Sequence, residues 1–195
     1  DFTFDVEQSK EESAEVVRMT LNLSDNSALT YVYRIYNTGN PSRDYLIDFS
    51  IEERNIAQHI ASSEELMLTW RSRSNKNERS YQNENMATNI IYFEEGDMEE
   101  FDTSGKREKL ENVSWIAYKQ QYFTSAFISP EELSMDAEFK NSTKQGADFM
   151  KEFSSTISLP LSKDKANYDY AFYYGPNDLK VMEDVELNGE KVELD

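Results

Sequence analysis

Alternation of apolar and polar residues with a period of two is the feature that most restricts the fold of this chain. The first clear run has its apolar positions at Val17, Met19, Leu21 and Leu23. A turn-forming segment from Ser24 to Ser27 follows, and a second alternating run covers 29–35. Successive side chains of a β-strand point to opposite faces, so the two runs predict a hairpin. A third alternating run over 45–51, after the turn residues 37–41, extends it to three antiparallel strands.

Strand patterns continue to the end of the chain, with no helical pattern long enough to separate them. Further strands are predicted over 66–73, 88–93, around Phe101, and over 113–119, 122–128, 133–139, 153–159 and 168–174. The polar run 74–85 is interpreted as a solvated loop or a frayed helix. Gly175-Pro176-Asn177-Asp178 predicts the start of a short helix, and Asn188-Gly189 predicts a tight hairpin turn. The predicted fold class is therefore an all-β antiparallel sandwich with a short helix near the C-terminus.

The length and the aromatic content indicate one domain with a substantial core. No stretch rich in Gly, Pro or Ser divides the 195 residues, so we expect a single domain over 1–195. The chain holds 12 Tyr, 11 Phe and 2 Trp. Burial of one such ring contributes at most on the order of 5 kcal/mol, so most of the rings are predicted to lie in the core.

Charge excludes two classes of partner. Asp and Glu number 38 against 20 Lys and Arg, which gives a formal net charge of −18. Such a field repels nucleic acid and anionic membrane surfaces. Arg71, Arg73 and Lys76 form the one basic candidate, and with acidic residues close by in the sequence they are interpreted as an exposed strand end. No apolar run approaches the roughly 18 residues that cross a bilayer, so no direct membrane span is predicted.

The sequence gives little support for a catalytic or metal-binding function. The chain has no cysteine and one histidine, His59, without a nucleophile motif around it. Adjacent carboxylates such as Glu94 and Glu95 arise freely in so acidic a chain. The loop 94–102 lacks the spacing of a calcium loop. We therefore predict no catalytic residue, no metal site and no cofactor.

The densest aromatic segment, Trp115 to Ile128, reads WIAYKQQYFTSAFI. Because both of its alternating faces carry large apolar side chains, it is interpreted as a central strand pair covered on both sides. A platform on which a sugar stacks is the alternative. That alternative would make the chain a carbohydrate-binding or sugar-isomerising β-sandwich, and a surface adhesin or scaffold module is a third hypothesis.

The same segment resembles a segment of the bacterial YidC membrane protein insertase family, in which a Trp-(Ile/Val)-Ala strand leads to Gln-Gln-Tyr-Phe and an aromatic-Ile ending. The residues that carry this resemblance are Trp115, Ala117, Gln120, Gln121, Tyr122, Phe123 and Ile128. A second block, 170–176, ends in Gly175-Pro176 and resembles the family's strand into Gly-Pro and a short helix. A third, 31–39, resembles its strand closing on Asn-x-Gly. We predict these signature residues to be structural, and the sequence identifies no partner-binding residue.

The resemblance spans most of the chain and is strongest over 113–182. It is weak at the N-terminus and over 74–85, and Ser129 separates Ile128 from Pro130 where the family often places proline directly after the isoleucine. The family's membrane helices have no counterpart here, nor do the earliest strands of its periplasmic domain. We therefore expect a fragment of a longer multi-pass inner-membrane protein.

What the resemblance implies is a β-supersandwich, similar to galactose mutarotase, on the periplasmic side of the bacterial inner membrane. The family inserts and folds inner-membrane proteins, alone or with the Sec translocon. The implied partners are Sec translocon components and nascent inner-membrane proteins. Insertion in that family belongs to a groove among membrane helices, so the resemblance implies partner contact or positioning for this domain, and no catalysis.

Overall fold

The computed structural model describes residues 3–56, 65–101, 109–130, 135–142, 148–160 and 167–194. They form fourteen strands and three short helices. The strands are β1 (Asp5–Lys10), β2 (Ala14–Ser24), β3 (Ser27–Tyr36), β4 (Leu46–Arg54), β5 (Glu65–Asn75), β6 (Asn89–Glu94), β7 (Asp97–Glu100), β8 (Lys109–Lys119), β9 (Phe123–Ile128), β10 (Met135–Ser142), β11 (Phe149–Pro160), β12 (Asn167–Pro176), β13 (Glu186–Leu187) and β14 (Glu190–Lys191). The helices are α1 (Pro41–Asp44), α2 (Tyr81–Met86) and α3 (Leu179–Met182).

The chain divides into two compact units. The first unit holds Asp1–Glu64, Leu161–Tyr174 and Asp178–Asp195, and the second unit holds Glu65–Pro160 and Gly175–Asn177. Every described strand pairing in both units is antiparallel. The all-β antiparallel fold class is therefore confirmed, with α3 as the short helix near the C-terminus. The single-domain interpretation of 1–195 stays a prediction.

In the first unit the strands pair in the order β1-β2-β3-β4-β12. Tyr33 lies opposite Phe49, which lies opposite Tyr170, so the three side chains share one face. Phe49 and Tyr170 are buried, and the rings of Tyr33 and Phe49 stack with centroids 5.0 Å apart. The alternation over 17–51 thus forms the hairpin and third strand that the sequence predicts.

Two turns of the first unit follow directly from their residues. Before α1, the Asp44 carboxylate accepts hydrogen bonds from the backbone N–H of Thr38, at 2.7 Å, and of Gly39, at 2.9 Å. Between β13 and β14, Asn188 has φ +55° and Gly189 has φ +86°, the left-handed backbone that the tight hairpin turn requires. The Asn188-Gly189 hairpin is therefore confirmed.

In the second unit the order is β9-β8-β10-β11-β5, and β6 pairs with both β7 and β8. β8 is central, and four consecutive residues from Trp115 to Tyr118 are at most 4% exposed. Tyr118 stacks on Trp70, with centroids 4.0 Å apart, and its hydroxyl donates to Ser155 Oγ at 2.7 Å. The interpretation of this stretch as a strand covered on both faces is confirmed.

A buried lysine ties α2 and β6 to β11 inside the second unit. Lys151 is 4% exposed, and its Nζ donates to the carbonyl oxygens of Asn85, at 3.1 Å, and of Thr88. A third bond goes to Asn89 Oδ1 at 3.0 Å. Burial lowers the pKa of this amine, an effect that the nearby Glu100 carboxylate opposes. Three protein oxygens thus take the place of water around the buried ammonium group.

Candidate functional site

The connection between β8 and β9, residues Gln120 to Phe123, is called the aromatic turn here. The Gln120 N–H donates to the Phe123 carbonyl oxygen at 2.9 Å and closes the turn. Tyr122 is 58% exposed and Phe123 is 62% exposed. Two neighbouring aromatic side chains therefore stand in solvent at the end of a buried hairpin, although the sequence predicts that most rings are buried.

Asn177 fixes the backbone of this turn from a distant part of the sequence. Its backbone N–H donates to the Tyr122 carbonyl oxygen at 2.8 Å, and its Nδ2 donates to the Gln120 carbonyl oxygen at 2.7 Å. Its Oδ1 accepts from the Thr124 hydroxyl at 2.6 Å. Because Thr124 is only 4% exposed, this last bond satisfies a buried polar group. One side chain and one N–H thus hold both ends and the tip of the aromatic turn.

The geometry of the aromatic turn suits surface contact with a partner protein. Exposed aromatic rings on a fixed backbone lose little conformational entropy when a partner covers them, and Tyr and Trp are the residues most enriched at binding hot spots. Gln121 Nε2 also donates to the Tyr122 hydroxyl oxygen at 3.0 Å. The aromatic turn therefore presents two rings in a defined arrangement.

The signature residues of the sequence divide between core and surface. Trp115, Ala117 and Ile128 are buried in β8 and β9. Gln120 and Gln121 are half-buried, and Tyr122 and Phe123 are exposed. Gly175 is buried and Pro176 is half-buried, directly before Asn177. The structure thus brings the Gln-Gln-Tyr-Phe and Gly-Pro motifs together through Asn177, and the structural role assigned to them stays a prediction.

The acidic candidates within the described residues do not come together in one site. His59 lies outside the described residues, as does Asp102 at the end of the 94–102 loop. Glu94 accepts from the backbone N–H of Glu111 at 3.2 Å. Across the described ranges, His, Asp and Glu side chains form no group of three that could hold a metal ion.

The basic candidate lies on β5 and in the segment after it. Arg71, Arg73 and Lys76 are all exposed. Arg73 Nε donates to Glu152 Oε1 at 2.9 Å, and the Lys76 ammonium lies 5.5 Å from the centre of the Tyr81 ring. The interpretation of these residues as an exposed strand end agrees with this placement.

The first unit carries three carboxylates on the polar side of β4 and β12. They are Asp48, Glu52 and Asp169. The first accepts from Arg43 Nη2 at 2.7 Å, the second from Arg18 Nη2 at 2.6 Å, and the third from Ser50 Oγ at 2.7 Å. A glycosidase or isomerase needs a carboxyl group poised to exchange a proton with its substrate. These contacts instead match a stabilising surface network, so the aromatic turn is the better candidate.

No helix within the described ranges is both long and apolar enough to cross a membrane. The sequence profile of the YidC periplasmic domain matches residues 1–193. The membrane protein insertase YidC of Bacteroides fragilis strain ATCC 25285 is 30% identical over 171 residues, which cover 84% of this chain and 27% of that protein. The insertase of Azobacteroides pseudotrichonymphae is 28% identical over 208 residues, covering 100% of this chain and 32% of that protein. That of Cytophaga hutchinsonii is 22% identical, over 91% of this chain and 30% of that protein. The chain thus spans about a third or less of each of these relatives.

Proposed function

Since the chain belongs to the YidC periplasmic domain family, we propose that it is the periplasmic accessory domain of an inner-membrane insertase, and that it contacts partners through the aromatic turn. The domain lies on the periplasmic side of the bacterial inner membrane. It performs no catalysis and does not itself insert substrate proteins. Its partners are Sec translocon components or nascent inner-membrane proteins that the whole insertase engages.

The exposure of Tyr122 and Phe123 on a fixed turn carries this proposal. About 60% of each side chain faces solvent, which leaves roughly 100 Å² of each ring for a partner to cover. At about 25 cal/mol per Å², covering one ring contributes roughly 2.5 kcal/mol to binding. Because both rings are already exposed in the free domain, their removal costs little folding free energy.

Site-specific photocrosslinking in the whole insertase tests the proposal. A photoreactive phenylalanine analogue at Phe123 should crosslink to a Sec translocon component or to a nascent membrane protein. The same analogue at Tyr81, which is 49% exposed at the start of α2, is the matched control. Crosslinks at Phe123 that are no stronger than those at Tyr81 would contradict the proposal.

A loss-of-contact variant separates binding from folding. Tyr122→Ser with Phe123→Ser should remove the partner crosslinks from neighbouring positions and slow insertion of substrates that need the partner. The free energy of unfolding of the isolated chain, measured with urea, should stay within about 0.5 kcal/mol of the parent value, as expected for surface substitutions. Insertion of a substrate protein into lipid vesicles by this 195-residue chain alone would also contradict the proposed accessory role.

A further inference from the structure

The chain contains seven methionines, and the fold exposes them very unequally. Met86 is 69% exposed, Met67 is 61% exposed and Met98 is 49% exposed. Met135 and Met150, in contrast, are at most 1% exposed. A reagent dissolved in water therefore reaches the Met86 thioether directly, whereas it reaches the two core methionines only when the structure opens.

The backbone around Met86 is held by contacts that do not involve its side chain. Met86 is the last residue of α2, and its carbonyl oxygen accepts a hydrogen bond from Asn89 Nδ2 at 2.9 Å. The carbonyl oxygen of the preceding residue, Asn85, accepts from Lys151 Nζ at 3.1 Å. Because both contacts use backbone oxygens, a chemical change at the Met86 sulfur leaves them in place.

The other two exposed methionines lie on strands and have a neighbouring side chain across the sheet. Met67 of β5 lies opposite Ser158, and Met98 of β7 lies opposite Phe93. Side chains in such pairs stand close together and partly shield each other. Met86, at the end of a helix, has no cross-strand neighbour, so we expect its sulfur to react first.

The reaction that suits an exposed thioether is oxygen transfer from a hydroperoxide. A sulfur lone pair attacks the terminal oxygen of the peroxide, an S–O bond forms as the O–O bond breaks, and the proton of that oxygen passes to the departing oxygen. The sulfur is oxidised to the sulfoxide, and hydrogen peroxide is reduced to water. Hydrogen peroxide is neutral, so the net charge of −18 does not repel it. The chain has no cysteine, so no thiolate competes for the oxidant.

We propose that Met86 is a site of reversible oxidation in the folded chain. A peroxide converts its thioether to the sulfoxide, and a thiol-dependent sulfoxide reductase restores it, oxidising two thiols to a disulfide and releasing the oxygen as water. The polar sulfoxide is tolerated at Met86 because water already surrounds that side chain. In the core, at Met135 or Met150, the same group would be a polar group buried among apolar side chains.

Hydrogen peroxide treatment of the folded chain, followed by peptide mass spectrometry, tests the site. Met86 sulfoxide should form at least about tenfold faster than the sulfoxide of Met135 or Met150, because opening of the core is rare. In urea, where the chain is unfolded, the three residues should react at similar rates. Equal rates in the folded chain, or oxidation of Met86 only after Met67 and Met98, would overturn the proposal.

Reductase treatment and urea unfolding test whether the oxidation is reversible and tolerated. Two sulfoxide reductases, one for each epimer, should restore Met86 in the absence of denaturant. Oxidation at Met86 should change the unfolding equilibrium constant by less than about twofold, as expected for a surface change. Met86→Leu, which has a similar volume and forms no sulfoxide, is the matched control and receives the same peroxide treatment. A sulfoxide that the reductases remove only in urea, or a loss of stability that the parent shows and Met86→Leu does not, would refute the proposal.

Discussion

Removal of the Asn177 side chain should loosen the aromatic turn and lower the stability of the chain by a defined amount. Asn177→Ala deletes the 2.7 Å bond to the Gln120 carbonyl oxygen and the 2.6 Å bond from the Thr124 hydroxyl. A neutral hydrogen bond contributes about 1 kcal/mol net, and a buried group left without a partner costs about 1–3 kcal/mol. With Thr124 buried, we expect a loss of about 2–3 kcal/mol. The backbone bond from Asn177 N–H to Tyr122 remains.

Urea unfolding at constant pH measures this loss as a change in midpoint with an unchanged slope. Asn22→Ala is the matched control, because Asn22 Nδ2 donates one exposed hydrogen bond, to Asp5 Oδ2 at 2.8 Å, and its removal should cost under about 0.5 kcal/mol. A double-mutant cycle of Asn177→Ala with Thr124→Val should show a coupling of about 1 kcal/mol. A loss no larger than that of Asn22→Ala, or a coupling near zero, would refute the role assigned to Asn177.

Three further variants test the charged and phenolic groups by urea unfolding at several pH values. Lys151→Met should cost about 2 kcal/mol at pH 7, because it leaves three oxygen acceptors around the buried Nζ without their donor. Because the pKa of Lys151 is lowered in the folded chain, the unfolded chain binds more protons as the pH approaches 10.5, and the parent gains stability over that range. The loss caused by Lys151→Met should therefore grow over the same range. A loss that does not change with pH would contradict the assignment. Burial raises the pKa of Tyr173 to about 12, so the free energy of unfolding of the parent should fall by up to about 3 kcal/mol between pH 10 and 12. Tyr173→Phe should reduce this fall. Identical alkaline profiles of the parent and Tyr173→Phe would disprove the contribution of Tyr173. The backbone N–H of Thr38 leads the contacts that lower the pKa of Asp44, so Asp44→Asn should be less stable than the parent at neutral pH, and the gap should close as the pH falls through that lowered pKa. A gap that persists in acid would refute the contribution of the ionised carboxylate.

Alternation predicts most strands of this chain because one or both faces of each are buried. β1 escapes prediction for the same reason: all six of its residues, Asp5–Lys10, are exposed, so it has no apolar face to produce a pattern. Its pairing with β2 depends on backbone hydrogen bonds at a sheet edge, which leave little trace in composition. The polar run over 74–85 is uninformative in the same way, although Ser80 accepts a bond from the Asn83 N–H and begins α2 as a helix cap.

The candidate site could be predicted only in part. The sequence singles out Gln120 to Phe123, but the apolar character of Tyr122 and Phe123 favours burial and conceals their exposure. Asn177 lies 57 residues after Gln120, and no local pattern connects the two. Such a contact depends on which strands become neighbours, and that is decided by packing of the whole unit. The Gly175-Pro176 motif before Asn177 was the available signal, but it indicates a helix start rather than a partner for a distant turn.

The two exposed features of the second unit differ in what holds them exposed. β5, at the end of the described strand order, carries Met67 as one exposed apolar side chain, and single side chains of this kind are normal on a protein surface. The aromatic turn is different, because Asn177 donates two hydrogen bonds to its backbone and accepts a third from the Thr124 hydroxyl, while two rings face water. Water disfavours that arrangement, and a turn of polar residues with the same Asn177 contacts would serve stability equally well. The exposed part of each ring therefore adds little to the fold, and the proposed partner contact would account for both the exposed rings and the fixed backbone beneath them.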